Sequence, residues 1–369
     1  MSMQTSLCAI LTAVCALSAT GGAAQTAFRS LQIRTTDGQL HSYDITRIDS
    51  ITFDANPSVQ QCKWYHTLEN PGVADYLRDF AYDAADYSYH HIFDYRGEPY
   101  LDARQDWPYG VTLGDTTYYN LIPGRSYTLQ YVSDGARTPV CIQTLGQLRM
   151  IRAEGIDNVR DLGGWPTADG CHVRYGMILR GTEANTCLSA NNTALHSAHQ
   201  LTQSDRELFS GLLGIRAELD LRSVTEIPVT GTSAFGTDID YLNSNVIYTE
   251  ISSADSRARY LECLRYLISE LQQGKPVYVH CIWGADRTGI LCMLLEGLLG
   301  VCQSDLDKDW ELTSFSGNTR YRTDKYYTAA LSTVLAQDGA NLQQKFRHWW
   351  LQSGATDDEL DTFIDVMTE

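Results

Sequence analysis

The sequence predicts an α/β domain with a largely parallel central sheet flanked by helices, preceded by a small all-β domain. Three observations carry that expectation. From about residue 150 strand and helix signals alternate, the order that builds a parallel sheet with helical crossovers. Upstream of it, short runs of alternating apolar and polar residues are separated by turn residues. The chain is also 369 residues long, above the usual size of one domain.

The first 24 residues, MSMQTSLCAILTAVCALSATGGAA, carry no charged side chain and end in small residues. They read as a secretory signal cleaved after Ala24, which makes the mature protein a soluble exported one, periplasmic or secreted. The apolar core of this segment is too short and too interrupted for a membrane span. Neither Cys8 nor Cys15 has the small preceding residue expected of a lipid-modified cysteine. The expected organisation is a signal over 1–24, a β-rich region over 25–148 and the α/β domain over 149–369.

Within the second segment, LQIRTTDGQLHSYDI reads as a β-hairpin around its Asp-Gly turn, and IDSITF as a further strand. GVTLGDTTYYNLIPGRSYTLQYV alternates apolar and polar residues, with IPGRS as the turn between two strands. This pattern resembles the late strands of a fibronectin type III or immunoglobulin-like sandwich. The aromatic run YLRDFAYDAADYSYHHIFDYRGEPY reads as filling for a small β domain, with a sugar-binding surface as the alternative. His90 and His91 have no matching metal ligands nearby in the sequence.

A formal charge of −17 argues against nucleic acid or an anionic membrane as partner, since both attract basic proteins. An anionic substrate must then be held by local positive charge. Eight cysteines follow the signal: Cys62, Cys141, Cys171, Cys187, Cys263, Cys281, Cys292 and Cys302. No pair has CxxC spacing and no His/Cys cluster suggests zinc, and no cofactor is expected.

The second half supplies its elements in order. LTQSDRELFSGLLG is a helix capped by Thr202 or Ser204 and stopped at Gly214, and IRAELDLRS is a strand ending in a polar loop. RARYLECLRYLISELQQG is a helix ending at Gly274, KPVYVH is a buried strand, and the run after Gly289 is a buried helix. DDELDTFIDVMTE is a final helix with acids in its first turn.

Between that buried strand and buried helix lies HCIWGADRTG, His280 to Gly289. Such a turn can aim the backbone amides of Ile282, Trp283, Gly284, Ala285, Asp286 and Arg287 at one anion, with the helix dipole behind them. Arg287 offers two parallel donors to two phosphate oxygens. Cys281, at the base of this cradle, sits where a thiol is turned into a thiolate able to attack phosphorus. Thr288 can donate to the departing thiolate, and His280 can order the loop from behind. Asp286 and Asp220 compete for the role of general acid to the leaving oxygen.

NVRDLGGWPTADG, LRGTE, LTQSDRELFSGLLGIRAELDLRSVTE, HCIWGADRTG and DWELTSFSG, in that order over about residues 150–369, resemble the bacterial tyrosine/serine protein phosphatases, a cysteine-phosphatase-like fold with the loop HCxxGxDRTG. The resemblance implies metal-independent hydrolysis of phosphomonoesters, phosphotyrosine foremost, with Asp286 as the acid. Asn158, Arg160 and Asp161 of NVRD, Arg222 of DLRS and Arg180 of LRGTE become candidate supporting residues, each with an alternative as an ion pair fixing a strand end. One departure is Ala285, where family members acting on phosphoinositides often carry lysine; another is Trp283, which is either a wall for a phenyl ring or a packing residue. An inositol-phosphate or phosphoinositide phosphatase and an inactive phosphate-binding module stand as alternatives.

Overall fold

The computed structural model describes residues 30–34, 40–44, 103–106, 110–123, 125–143, 149–185, 199–228, 231–316, 318 and 320–369. The signal segment, the strand IDSITF, the aromatic run with His90 and His91, and Cys62 and Cys187 lie outside the described residues. The first unit, Met1–Val59, contributes the hairpin read from the sequence: β1 (Ser30–Arg34) pairs antiparallel with β2 (Leu40–Asp44).

Among the described residues of the second unit, Gln60–Glu369, β3 (Ala103–Asp106), β4 (Gly110–Leu113) and β5 (Thr116–Tyr119) come first and form an antiparallel sheet. The hairpin of β6 (Ser126–Ser133) and β7 (Ala136–Gln143) follows, so the IPGRS turn falls between two strands as read. The buried Asn120 ties this region to the next: its side chain accepts from the Arg152 amide at 2.8 Å and its carbonyl accepts from the Arg149 guanidinium at 3.1 Å.

The larger sheet contains β8 (Arg160–Asp161), β9 (Ile178–Gly181), β10 (Ala217–Asp220), β11 (Asp240–Asn243) and β12 (Val277–His280). Their spatial order is β11-β10-β12-β9-β8, parallel except for the β8–β9 pair, which agrees with the mostly parallel sheet expected. All but the edge strand β11 are buried on both faces, and alternate residues feed two cores. Val277 and Val279 of β12 enter one core, whereas Tyr278 enters the other.

Seven α-helices are described. α1 (Gln203–Glu207), prolonged by a π-helical turn to Leu212, starts at a capping box made by Thr202 and Asp205, which selects Thr202 over Ser204. α2 (Ala254–Gln272) is the crossover between β11 and β12 and begins three residues before the periodic run. α3 (Asp286–Leu298) is buried along most of its length, as an unbroken apolar run requires. α4 (Gln303–Leu312), α5 (Lys325–Leu335) and α6 (Leu342–Gln352) surround it, and the Trp350 indole of α6 donates to the Leu294 carbonyl at 3.1 Å. α7 (Asp357–Met367) closes the chain with a Thr356–Glu359 capping box. Among the described residues no helix is long and apolar enough to cross a membrane.

Candidate active site

β12 ends at His280, α3 begins at Asp286, and the five residues between them turn at the carboxyl edge of the sheet. In a parallel sheet the neighbouring strands end at that same edge. Registry sets Asp220 of β10 and Gly181 of β9 beside His280. The loop carbonyls are engaged on its outer side. Ile282 accepts from the Glu183 amide at 3.0 Å, Trp283 from Asn158 Nδ2 at 3.1 Å, and Gly284 from Arg180 at 2.7 Å and Asn158 at 3.2 Å. Turning the carbonyl ends outward presents the N–H ends to the thiol side, in line with the α3 dipole.

Gly284 is what lets the chain turn this way. Its φ is +60°, and a Cβ there would fall on the Gly181 carbonyl oxygen. Gly289 serves closeness instead: a Cβ would stand 2.6 Å from the ring of Trp310 in α4.

Cys281 is buried under the loop. Burial alone would push its thiol up, but Arg287, the Thr288 hydroxyl and the Thr288 amide outweigh it, leaving the thiol below its ordinary value. The Thr288 hydroxyl is itself buried with no partner besides the sulfur it acts on, which leaves its proton for the thiolate. Arg287 is held by both oxygens of Glu226, at 2.7 and 3.2 Å, and by the Leu221 carbonyl at 3.3 Å.

Behind the loop, His280 Nε2 lies 2.7 Å from Glu218 and Nδ1 lies 3.1 Å from the Cys281 carbonyl. Burial lowers the affinity of His280 for a proton, yet Asp220 and Glu218 together raise it above the ordinary value. Glu218, Asp220 and His280 bring ligand-type atoms within 4.8 Å of one another. Their valences are already used: Glu218 also accepts from Ser233 and from the Ala234 amide, and Asp220 accepts from Arg222 and Tyr241. The trio reads as a hydrogen-bonded brace rather than an ion cage.

The two candidate acids differ sharply. Asp220 has no exposed surface and is clamped by Arg222, whose other contacts are Glu183 and Asn185. Asp286 stands at the start of α3 with 29% of its side chain exposed, paired to Arg320 through both oxygens at 3.1 and 2.9 Å. Asp220 and Arg222 therefore fix strand ends beside the loop, and Asp286 is the one of the two carboxyls with a surface open to solvent.

Asn158, at φ +57°, holds the loop carbonyls directly. Arg160 and Arg180 lie beneath it and share the buried Asp309, which accepts from Arg160 at 2.8 Å and from Arg180 on its other oxygen. Asp161 does not join this group. It pairs with Arg149 at 2.9 Å and accepts from the Gly163 and Gly176 amides, bracing the RDLGG turn at a distance from the thiol. Trp283 is not packed under the loop; it stands 39% exposed with its ring edge-on to His199 at 5.2 Å.

A sequence profile described as the tyrosine phosphatase family matches residues 151–358. The chain belongs to that family. A Cupriavidus necator protein, named provisionally as a tyrosine-protein phosphatase, is 29% identical over 174 residues; the match spans 41% of this chain and 58% of that relative. Among solved structures, TpbA of P. aeruginosa shares 14% identity over 52% of this chain and 97% of its own, with a TM-score of 0.32. The core catalytic domain of the PP-IP phosphatase SIW14 from S. cerevisiae shares 15% over 54% of this chain and 96% of its own, also at 0.32.

For this member of the tyrosine phosphatase family, sequence reasoning missed Glu226, Glu218, Asp309 and Arg320. Glu226 and Asp309 lie inside the DLRSVTE and DWELTSFSG blocks, so carboxylates near predicted arginines were a usable signal; Arg320 had none. Tyr248 was missed too. Burial raises its hydroxyl, and Asp286, Arg287 and Cys281 all act on it, which sets it near the loop mouth. Its ring meets Tyr326 edge-on at 5.2 Å. A hollow of about 660 Å³ between α2 and α6, lined by Arg257, Leu261 and Gln352 among others, shares no residue with the loop.

Proposed function

We propose that the chain is a phosphomonoester hydrolase that works through a phosphocysteine intermediate, with phosphotyrosyl protein as the principal substrate and phosphoseryl protein as a further one. The observation that carries this reading is the buried Cys281 thiol held below its ordinary value by Arg287 and Thr288 at the foot of an anion-binding loop. The thiolate attacks phosphorus; the S–P bond forms as the ester P–O bond breaks, and Asp286 gives its proton to the leaving oxygen. Water then attacks phosphorus, returns a proton to Asp286 and releases inorganic phosphate, while Thr288 eases the departure of the thiolate. Arg287 and the amides of residues 282–287 offset the charge on the phosphoryl oxygens, so the scheme is written without a metal.

The choice of an aryl ester is supported by the aromatic rings near the loop, Trp283 with His199 and Tyr248 with Tyr326, and by Ala285 in place of a loop lysine. Export through residues 1–24, an immunoglobulin- or fibronectin III-like sandwich within 25–148 and a catalytic domain from 149 belong to the same proposal, supported by the leader composition and the antiparallel hairpins.

The test is phosphate release by residues 25–369 from a phosphotyrosine peptide, a phosphoserine peptide and an inositol polyphosphate, with EDTA present, for wild type and Cys281→Ser. The proposal expects the phosphotyrosine peptide to be turned over fastest and Cys281→Ser to be inert. Preference for the inositol polyphosphate would replace the substrate assignment. Wild type that binds phosphate but hydrolyses nothing would make the protein a binding module.

A further inference from the structure

The loop mouth carries a second guanidinium that nothing in the catalytic scheme uses. Arg320 grips both oxygens of Asp286, and its own position is fixed by short-range bonds: Ser314 Oγ accepts from the Arg320 amide at 2.8 Å and donates to its carbonyl at 2.9 Å. Its third guanidinium contact is Asn318 Oδ1 at 2.8 Å. Ser314 is buried in the turn Thr313–Ser316, whose Thr313 hydroxyl accepts from Asn158, the residue that holds the loop carbonyls. One short segment therefore braces the loop from below through Thr313 and grips its acid from the side through Arg320.

A carboxyl on an exposed helix start has several rotamers, and proton transfer needs one of them. A planar fork closing on both oxygens selects a single orientation, which a lysine cannot do. Asp286 also stands close enough to Cys281 for its negative charge to oppose Arg287 and Thr288 in stabilising the thiolate. A guanidinium on that carboxylate offsets the opposition.

We infer that Arg320 is a positioning residue for the reaction: it stations the Asp286 carboxyl toward the leaving oxygen and shields the Cys281 thiolate from the charge of that carboxylate. The inference rests on Asp286 being the acid. The entering dianionic ester draws the guanidinium toward its phosphoryl oxygens, so one Asp286 oxygen comes free to take a proton from water and pass it to the leaving oxygen while the other stays on Arg320 and keeps the carboxyl in place.

The experiment is a leaving-group series, kcat/KM for aryl phosphates whose phenols range from strongly to weakly acidic, paired with the pH dependence of iodoacetamide alkylation at Cys281. It compares wild type, Asp286→Asn, Arg320→Gln, Arg320→Lys and the double variant Asp286→Asn/Arg320→Gln. General acid help is worth ~10² to 10⁴ on poor leaving groups. Arg320→Gln is expected to lose about tenfold of that on weakly acidic phenols, little on strongly acidic ones, and to shift the alkylation midpoint upward. Arg320→Lys should keep the wild-type midpoint, because it keeps the charge, and show intermediate leaving-group sensitivity. The double variant should be no worse than Asp286→Asn on weakly acidic phenols.

Equal loss on every ester with an unchanged alkylation midpoint would reduce Arg320 to a structural ion pair and overturn the inference. So would additive losses in the double variant. If Asp286→Asn itself shows no leaving-group dependence, the acid assignment fails first; a steep dependence in Asp286→Asn with none in Arg320→Gln or Arg320→Lys removes the inference alone.

Discussion

Glu226 closes on Arg287 through both carboxylate oxygens, at 2.7 and 3.2 Å, so the guanidinium beside the loop is held in one orientation. Burial would push the Glu226 carboxyl up, but Arg287 and the Ser223 amide hold it below its ordinary value. The pair is therefore kept down to mildly acidic pH and is lost as pH falls through that lowered value. Replacing Glu226 by Gln leaves one oxygen and no charge. Charge-assisted bonds are worth about 1.5–3 kcal/mol, so inhibition by inorganic phosphate should weaken by about tenfold or more in Glu226→Gln. Unchanged inhibition would mean that Arg287 needs no second carboxylate to hold its fork.

Asp309 bridges Arg160 and Arg180, one carboxylate between two cations, and all three are buried. Removing the shared acid leaves two buried cations facing each other. Asp309→Ala should lose about 3–5 kcal/mol of stability in urea unfolding, the cost of orphaning buried charges. A loss under about 1 kcal/mol, the usual value of an exposed pair, would show that water reaches the cluster.

Gly284→Ala should leave the fold and remove the activity. Its Cβ has no room beside the Gly181 carbonyl, and φ of +60° disfavours any side chain, so the loop must shift at the phosphate cradle. A displacement of about 1 Å in a reacting group costs on the order of 100-fold in rate. Wild-type kcat/KM in Gly284→Ala, measured on an aryl phosphate, would contradict this loop geometry.

Glu296, in the last turn of α3, is buried with neither oxygen hydrogen-bonded. Burial first, then Asp309, raises its carboxyl well above the ordinary value, against the pull of Arg180 and Arg160. The folded protein thus keeps this proton at pH values where the unfolded chain has released it. Stability from this group is complete below about pH 4, the ordinary carboxylate value, and declines as pH rises from there toward the folded-state value, by about 1.4 kcal/mol per pH unit. Glu296→Gln removes that slope. Urea unfolding at pH 5, 6 and 7 should show the variant gaining on wild type at each step, and parallel curves would refute it.

The sequence made the strand–loop–helix of residues 277–298 legible because each part is local: an apolar run, a ten-residue motif, another apolar run. Cys281, Arg287 and the turn at Gly284 follow from that stretch alone. What stayed hidden depends on contacts between distant segments. Asp220 and Asp286 look alike as carboxylates on a sheet edge, and only folding buries the first under Arg222 and Tyr241 while leaving the second at the surface. Glu226, Asp309 and Arg320 meet their partners across 61, 149 and 34 residues, separations over which periodicity carries no information. Asp161 read as part of the loop support because it adjoins Arg160, yet consecutive strand residues point to opposite faces, and it serves Arg149 instead. α4, α5 and α6 were not read as helices; their apolar faces pack against α3 with short, interrupted runs.

The most direct test of the account is to look for the covalent intermediate on Cys281. Asp286→Asn, mixed with an aryl phosphate whose phenol leaves easily, should form the phosphocysteine faster than it hydrolyses it. Quenching at alkaline pH, proteolysis and mass spectrometry should then find one phosphoryl group on the peptide that contains Cys281, and none in Cys281→Ser. Turnover of the ester with no phosphoryl group on that peptide, or with the group on another residue, would contradict a thiolate mechanism at this loop.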